Sequence, residues 1–88
     1  MAKVVLSGIY GYENIENGKW YIGQAKDLAA RYVQHHVGKE QVIDKALNEA
    51  PEKFRYHELK RGDFTKEQLD RLEAEYIDLY QAYTRGYN

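Results

Sequence analysis

The stretch GIYGYENIENGKWYIG runs from Gly8 to Gly23, and its two arms mirror each other. Glycine, isoleucine and tyrosine stand at one end. Tyrosine, isoleucine and glycine stand at the other, with the polar run ENIENGK between them. The first arm, from Lys3 to Glu13, alternates as a strand does. Leu6, Gly8, Tyr10 and Tyr12 fall on one face, and Val5, Ser7, Ile9 and Gly11 on the other. Asn17-Gly18 is a hairpin-turn signal, because both residues tolerate positive φ. Lys19 to Gly23 is then the return strand, with Tyr21 and Gly23 on one face and Trp20 and Ile22 on the other. Such a hairpin sets Tyr10 and Tyr21 on a shared face, subject to register.

Past Gly23 the period changes. Asp27 is placed as a helix N-cap, and Leu28, Arg31, Tyr32 and His35 share a helical face. A second helix is expected near Lys39 to Asn48, with Val42, Ile43, Ala46 and Leu47 inward and Pro51 beyond its end. Phe54 to Leu59 is a third strand, closed by the polar turn Lys60-Arg61-Gly62-Asp63. Thr65 and Gln68 form a capping box. It opens a helix to about Tyr83, whose buried stripe is Leu69, Leu72, Tyr76, Leu79, Tyr80 and Tyr83. The order is ββααβα, an α+β arrangement with three strands in one small sheet and helices flanking it.

At 88 residues the chain makes a single domain, residues 1–88, with a modest core. It has no cysteine, which excludes disulfides and thiolate metal sites. No apolar run approaches the roughly 20 residues of a membrane span, and no signal-peptide pattern is present. The expectation is a soluble cytoplasmic protein with no membrane partner. The net charge of −1 lacks the basic signature of a stand-alone nucleic-acid binder. A DNA-acting role therefore implies weak binding alone, or help from outside these residues. Nine tyrosines suggest buried rings with functional hydroxyl tips.

The chain resembles the GIY-YIG nuclease family. Gly8-Ile9-Tyr10 and Tyr21-Ile22-Gly23 stand for the two name motifs, and Asn14 and Gly18-Lys19 match further positions. Arg31, His35, Glu73 and the ending Gly86-Tyr87-Asn88 follow in family order, so the resemblance covers essentially the whole chain. It implies a three-stranded antiparallel sheet and a metal-dependent DNA endonuclease that leaves a 5′ phosphate and a 3′ hydroxyl. The ending is most like the homing-endonuclease and phage-type branch, so a phage-encoded chain would act in host cytoplasm. In homing enzymes this module precedes a separate DNA-binding segment, and such a segment or partner is expected here.

The resemblance implies that one tyrosine activates water and the other positions water or phosphate; Tyr10 is taken as the base and Tyr21 as the positioning group. A free phenol titrates near about 10, so the base needs help from a neighbour or metal. Arg31 would stabilise the pentacovalent phosphate, since a guanidinium is permanently charged and forks onto phosphate oxygens. His35, one turn on, would support the base or contact phosphate. No spacing among His35, His36 and His57 makes a zinc set. Two glutamates compete in the last helix. Measured around the axis from Leu69, Glu73 lies near about 40°, between Tyr80 and Ile77, while Glu75 lies near about 240° on the solvated side. A carboxylate among core residues costs free energy unless it meets a charge or a metal. The family pattern agrees, with its glutamate three positions before an aromatic-isoleucine pair, here Tyr76-Ile77. Glu73 is thus the expected ligand of Mg2+, or Mn2+. The Asn88 amide would brace the site, with Gly8 and Gly23 as structural support. Lys26, Lys60 and Arg61 are the candidate phosphate contacts. Two rivals stay open: a non-catalytic DNA-binding or protein-interaction module that keeps the fold, and a structural domain whose tyrosines are only core.

Overall fold

The computed structural model describes residues 5–37 and 42–88, leaving aside the side chains of residues 35–37, 42, 83 and 84. Three strands form one antiparallel sheet in the order β2-β1-β3: β1 is Ser7–Asn14, β2 is Trp20–Ala25 and β3 is Phe54–Gly62. Helices α1 (Leu28–Val37) and α2 (Val42–Glu49) separate β2 from β3, and a 3-10 turn at Pro51–Lys53 leads into β3. Helix α3 (Lys66–Tyr80) and the single turn α4 (Ala82–Arg85) close the chain. The α+β class and the ββααβα order follow the sequence, with α4 as an addition.

The alternation of β1 divides the interior in two. Tyr10 and Tyr12 face α1 and α2, and pack with Ala25, Leu28, Ile43 and Leu47. Ile9 faces the other way and packs with Ile22, Leu69 and Ala82. The central strand is therefore buried on both faces and has no polar side. Asp27 caps α1 as expected, its Oδ1 accepting from the Ala30 amide at 3.2 Å. The Thr65–Gln68 capping box of α3 is formed in both directions.

Several boundaries differ from expectation: β1 begins at Ser7, with Val5 and Leu6 ahead of it, and the start expected for the second helix at Lys39 lies outside the described residues. The hairpin turn is a five-residue loop, 15–19, in which Gly18 takes positive φ (75°) and Asn17 does not. Asn14 organises that loop, because its Oδ1 accepts from the amides of Glu16 (2.9 Å) and Asn17 (3.3 Å). Strand β2 runs two residues past Gly23. Lys60, Arg61 and Gly62 are not a turn but the end of β3, paired with Ile9, Gly8 and Ser7. A bulge between Ile9 and Tyr10 breaks the alternation there, so this end of an edge strand carries no apolar signal. Finally, α3 stops at Tyr80, because Gln81 adopts a left-handed conformation (φ 55°, ψ 33°) and turns the chain into α4. Leu79 is not in the buried stripe. It is 71% exposed, because α3 packs through Leu69, Leu72, Tyr76 and Ile77, which leaves the Leu79 flank outward.

Candidate active site

Register decides how the two motif tyrosines meet. Tyr10 lies opposite Gly23, and Tyr12 opposite Tyr21, so Tyr10 and Tyr21 are diagonal neighbours on one face. Their ring centroids are 6.2 Å apart, tilted by 44°. This diagonal needs the glycine. A Cβ on Gly23 would run into the ring and hydroxyl of Tyr10, so any other residue there displaces the phenol. Gly8 is constrained by backbone instead, since a Cβ there would meet the Lys60 carbonyl of β3. Tyr12, Tyr56 and Tyr32 extend the aromatic face: Tyr10–Tyr12, Tyr12–Tyr56 and Tyr32–Tyr56 centroids lie 6.0, 5.3 and 4.8 Å apart.

The two phenols differ in setting. Tyr10 is 2% exposed, whereas Tyr21 is half-buried. Burial, then the adjacent Tyr21, hold the Tyr10 hydroxyl far above the ordinary phenol range, while Arg31 pulls it down. Tyr21 is raised by burial, lowered by its hydrogen bond with Tyr10, raised by the Glu73 charge, lowered by Arg31 and raised by Asp44. The hydrogen bond between the two hydroxyls raises Tyr10 and lowers Tyr21. Arg31 from α1 thus acts on both phenols, and Glu73 from α3 on one. Glu73 is half-buried and Glu75 exposed, as the helical angles require.

The tail seals the other side of β2. The Tyr87 amide donates to the Trp20 carbonyl at 2.9 Å. The Asn88 side chain then accepts from the Ile22 amide (2.7 Å) and donates to the Ile22 carbonyl (2.6 Å). Trp20 and Ile22 are two residues apart and present the same edge, so the tail takes the place of a fourth strand. Asn14 joins in, its Nδ2 donating to the Tyr87 hydroxyl at 2.9 Å. Asn88 therefore braces Tyr21-Ile22-Gly23 through the backbone of its middle residue.

Among the described residues no three acidic or histidine side chains converge as a metal set. Glu73 is the one carboxylate acting on the phenol pair from α3. A lone carboxylate suits Mg2+, which keeps several waters and takes phosphate oxygens as further ligands. The His35 side chain lies outside the described residues. Lys26 follows β2 beside Arg31, while Lys60 and Arg61 sit on β3. Asp44 was not singled out from sequence. It is 6% exposed on α2, and its charge opposes ionisation of Tyr12 and Tyr21. Its place was legible: about 60° round the helix from Leu47, it borders the apolar stripe.

The family model for the GIY-YIG catalytic domain matches residues 6–88. The fold is similar to the solved catalytic domain of homing endonuclease I-TevI, with a TM-score of 0.81 and 25% sequence identity over 93% of this chain and 96% of that one. A structure of a glutamate-to-alanine mutant of the catalytic domain of intron endonuclease I-TevI gives the same score and identity over 94% and 92%. No curated protein matches the chain.

Proposed function

The chain belongs to the GIY-YIG catalytic-domain family and is a nuclease domain; from that premise we propose that it is a divalent-metal-dependent endonuclease hydrolysing DNA phosphodiesters. What supports this is the meeting of Tyr10, Tyr21, Arg31 and Glu73 from four separate elements, with the Arg31 charge acting on both phenols and the Glu73 charge on Tyr21. A water attacks phosphorus in line, and the bond to the 3′ oxygen breaks, leaving a 5′ phosphate and a 3′ hydroxyl. The water's proton goes to the phenol pair in its singly ionised form, which titrates as a unit because its members share a hydrogen bond, and the departing 3′ oxygen takes a proton from solvent. Tyr10 is the base expected from sequence, and Tyr21 is the member that reaches solvent. Arg31 neutralises charge building on the phosphate oxygens, a contact of the kind worth about 3–4 kcal/mol of barrier. Glu73 would hold the divalent ion, which when bound supplies further charge stabilisation at the phosphate. His35, one turn beyond Arg31 in the sequence, supports the base or contacts phosphate. The chain acts as one catalytic unit in the cytoplasm and takes its specificity from a separate DNA-binding segment or partner, consistent with its net charge of −1.

The test is nicking of supercoiled plasmid with Mg2+ at low salt, comparing the chain with Glu73→Ala and Glu75→Ala. Activity should survive the second change and vanish with the first. Loss through Glu75 would refute the placement of the metal ligand. Absence of cleavage even after fusion to a generic DNA-binding domain would favour a non-catalytic module.

A further inference from the structure

One groove of about 320 Å³ opens directly beside Arg31. Its walls include Gln24 and Lys26 from β2 and the turn after it, Asp27 and Gln34 around α1, and Lys66 from the first turn of α3. Three cations thus line one concavity of a chain whose net charge is −1. The acidic lining residue, Asp27, already accepts from the Ala30 amide as a helix cap.

Lys66 is held in a fixed arrangement. Its Nζ donates to Gln24 Oε1 at 2.9 Å and to Asp70 Oδ1 at 2.7 Å, and Gln24 Nε2 donates to the same Asp70 oxygen at 2.8 Å. An ammonium has three donors, so one N–H of Lys66 is left for a further acceptor. Asp70 is held below the usual carboxylate range by Lys66 and then Gln24, so it stays an anion and keeps this bracket closed. Lys26 makes no ion pair among the described residues.

We propose that this groove receives the phosphate next to the one being cut, held by Lys26 and Lys66 with the Gln24 and Gln34 amides alongside. The inference rests on the nuclease function proposed above, since it takes Arg31 as the contact to the scissile phosphate. Its ligand is a phosphodiester of the same strand. Arg31 then belongs to two neighbouring phosphate positions, which fixes the path of the strand between α1 and α3.

Two measurements test it. The first is anisotropy of a labelled 20-base-pair duplex of arbitrary sequence without metal, across a salt series. Lys26→Ala and Lys66→Ala should each flatten the plot of log affinity against log salt by about 0.9 and weaken low-salt binding severalfold. Asp70→Asn should tighten it. Slopes equal to wild type would overturn the proposal. The second uses duplexes centred on a mapped cut, each with one neutral methylphosphonate. Neutralising one flanking phosphate should slow the wild-type chain, while the lysine variants should lose little more at that position. Equal losses in wild type and variants at every position would also overturn it. A chain that binds with the expected slopes and cuts nothing, even when fused to a generic DNA-binding domain, would sink the nuclease function and leave the groove standing as a phosphate site. Cleavage that needs Glu73 with unmoved slopes would do the reverse.

Discussion

Asn88 gives a stringent test of how the tail supports the active-site hairpin. Its amide makes two short bonds to one residue, the buried Ile22, accepting from the amide at 2.7 Å and donating to the carbonyl at 2.6 Å. Removing both with Asn88→Ala costs about 1 kcal/mol for each bond, because the exposed tail lets water reach the vacated partners. The total of about 2 kcal/mol is a large share of the roughly 5–13 kcal/mol available to a domain of this size. It corresponds to a fall in melting temperature of about 8–16 °C. Asn88→Asp is the sharper probe. The side chain keeps its shape, but an ionised carboxylate has no donor for the Ile22 carbonyl and sets oxygen against oxygen. At neutral pH it should be less stable than the alanine variant. A protonated aspartic acid regains the donor, so the fold binds that proton more tightly than the unfolded chain. The carboxyl pKa is therefore raised, and stability should return as pH falls below it. Urea denaturation of the three proteins between neutral and mildly acidic pH measures this. An aspartate variant that matches wild type at neutral pH, or whose deficit ignores pH, would refute the two-bond clasp.

Gly23→Ala should cost about 2–3 kcal/mol, at the upper end for overpacking, because Tyr10 is hemmed in by Tyr12, Tyr21 and Tyr56 and cannot yield to the new Cβ; chemical denaturation with near-ultraviolet circular dichroism checks it. Leu69→Ala should cost about 2–5 kcal/mol, whereas Leu79→Ser should be nearly neutral, and equal effects would refute the orientation of α3. Alkaline stability follows from the phenols. Burial raises Tyr10 and Tyr12, and pushes Tyr56 up to about 12. Since the folded values lie above the ordinary phenol value, this stability is complete below pH 10 and is lost as pH rises past it. Melting temperature followed with phenolate absorbance should fall above that point and not before.

The hairpin was legible because period-two alternation and two glycines act locally: each face of β1 and β2 is as the alternation dictates. Glu73 was legible for a similar reason, since helix angles separate it from Glu75 without knowledge of any neighbour. What escaped was set by tertiary contacts. Leu79 belongs to an apolar stripe in sequence, and only the roll of α3 on the sheet turns it outward. Lys60 and Arg61 read as a turn because polar residues on an edge strand look like a loop. The brace by Asn88 was expected from the family resemblance alone, because it depends on a free edge of β2 that the chain's own pattern cannot display. Asp44 was passed over because an acid beside an apolar stripe usually faces water, and here the aromatic face of the sheet encloses it.

The site sets a tension that a rate profile can expose. A proposed base must ionise, yet burial disfavours the charged form of both phenols, most of all Tyr10. The sheet supplies a partial answer in the hydrogen bond, which lowers Tyr21 at the expense of Tyr10, and α1 supplies another in the Arg31 charge. Neither cancels burial, so at neutral pH the pair is protonated nearly all of the time. If the phenolate is the base, cleavage should climb about tenfold per pH unit through the neutral and mildly alkaline range. Asp44→Asn removes a charge that opposes ionisation of Tyr21, and should therefore shift that rise to lower pH. A rate that levels off near neutrality in wild type would mean that a group other than the phenol pair takes the water's proton, and would return both tyrosines to the part of positioning groups.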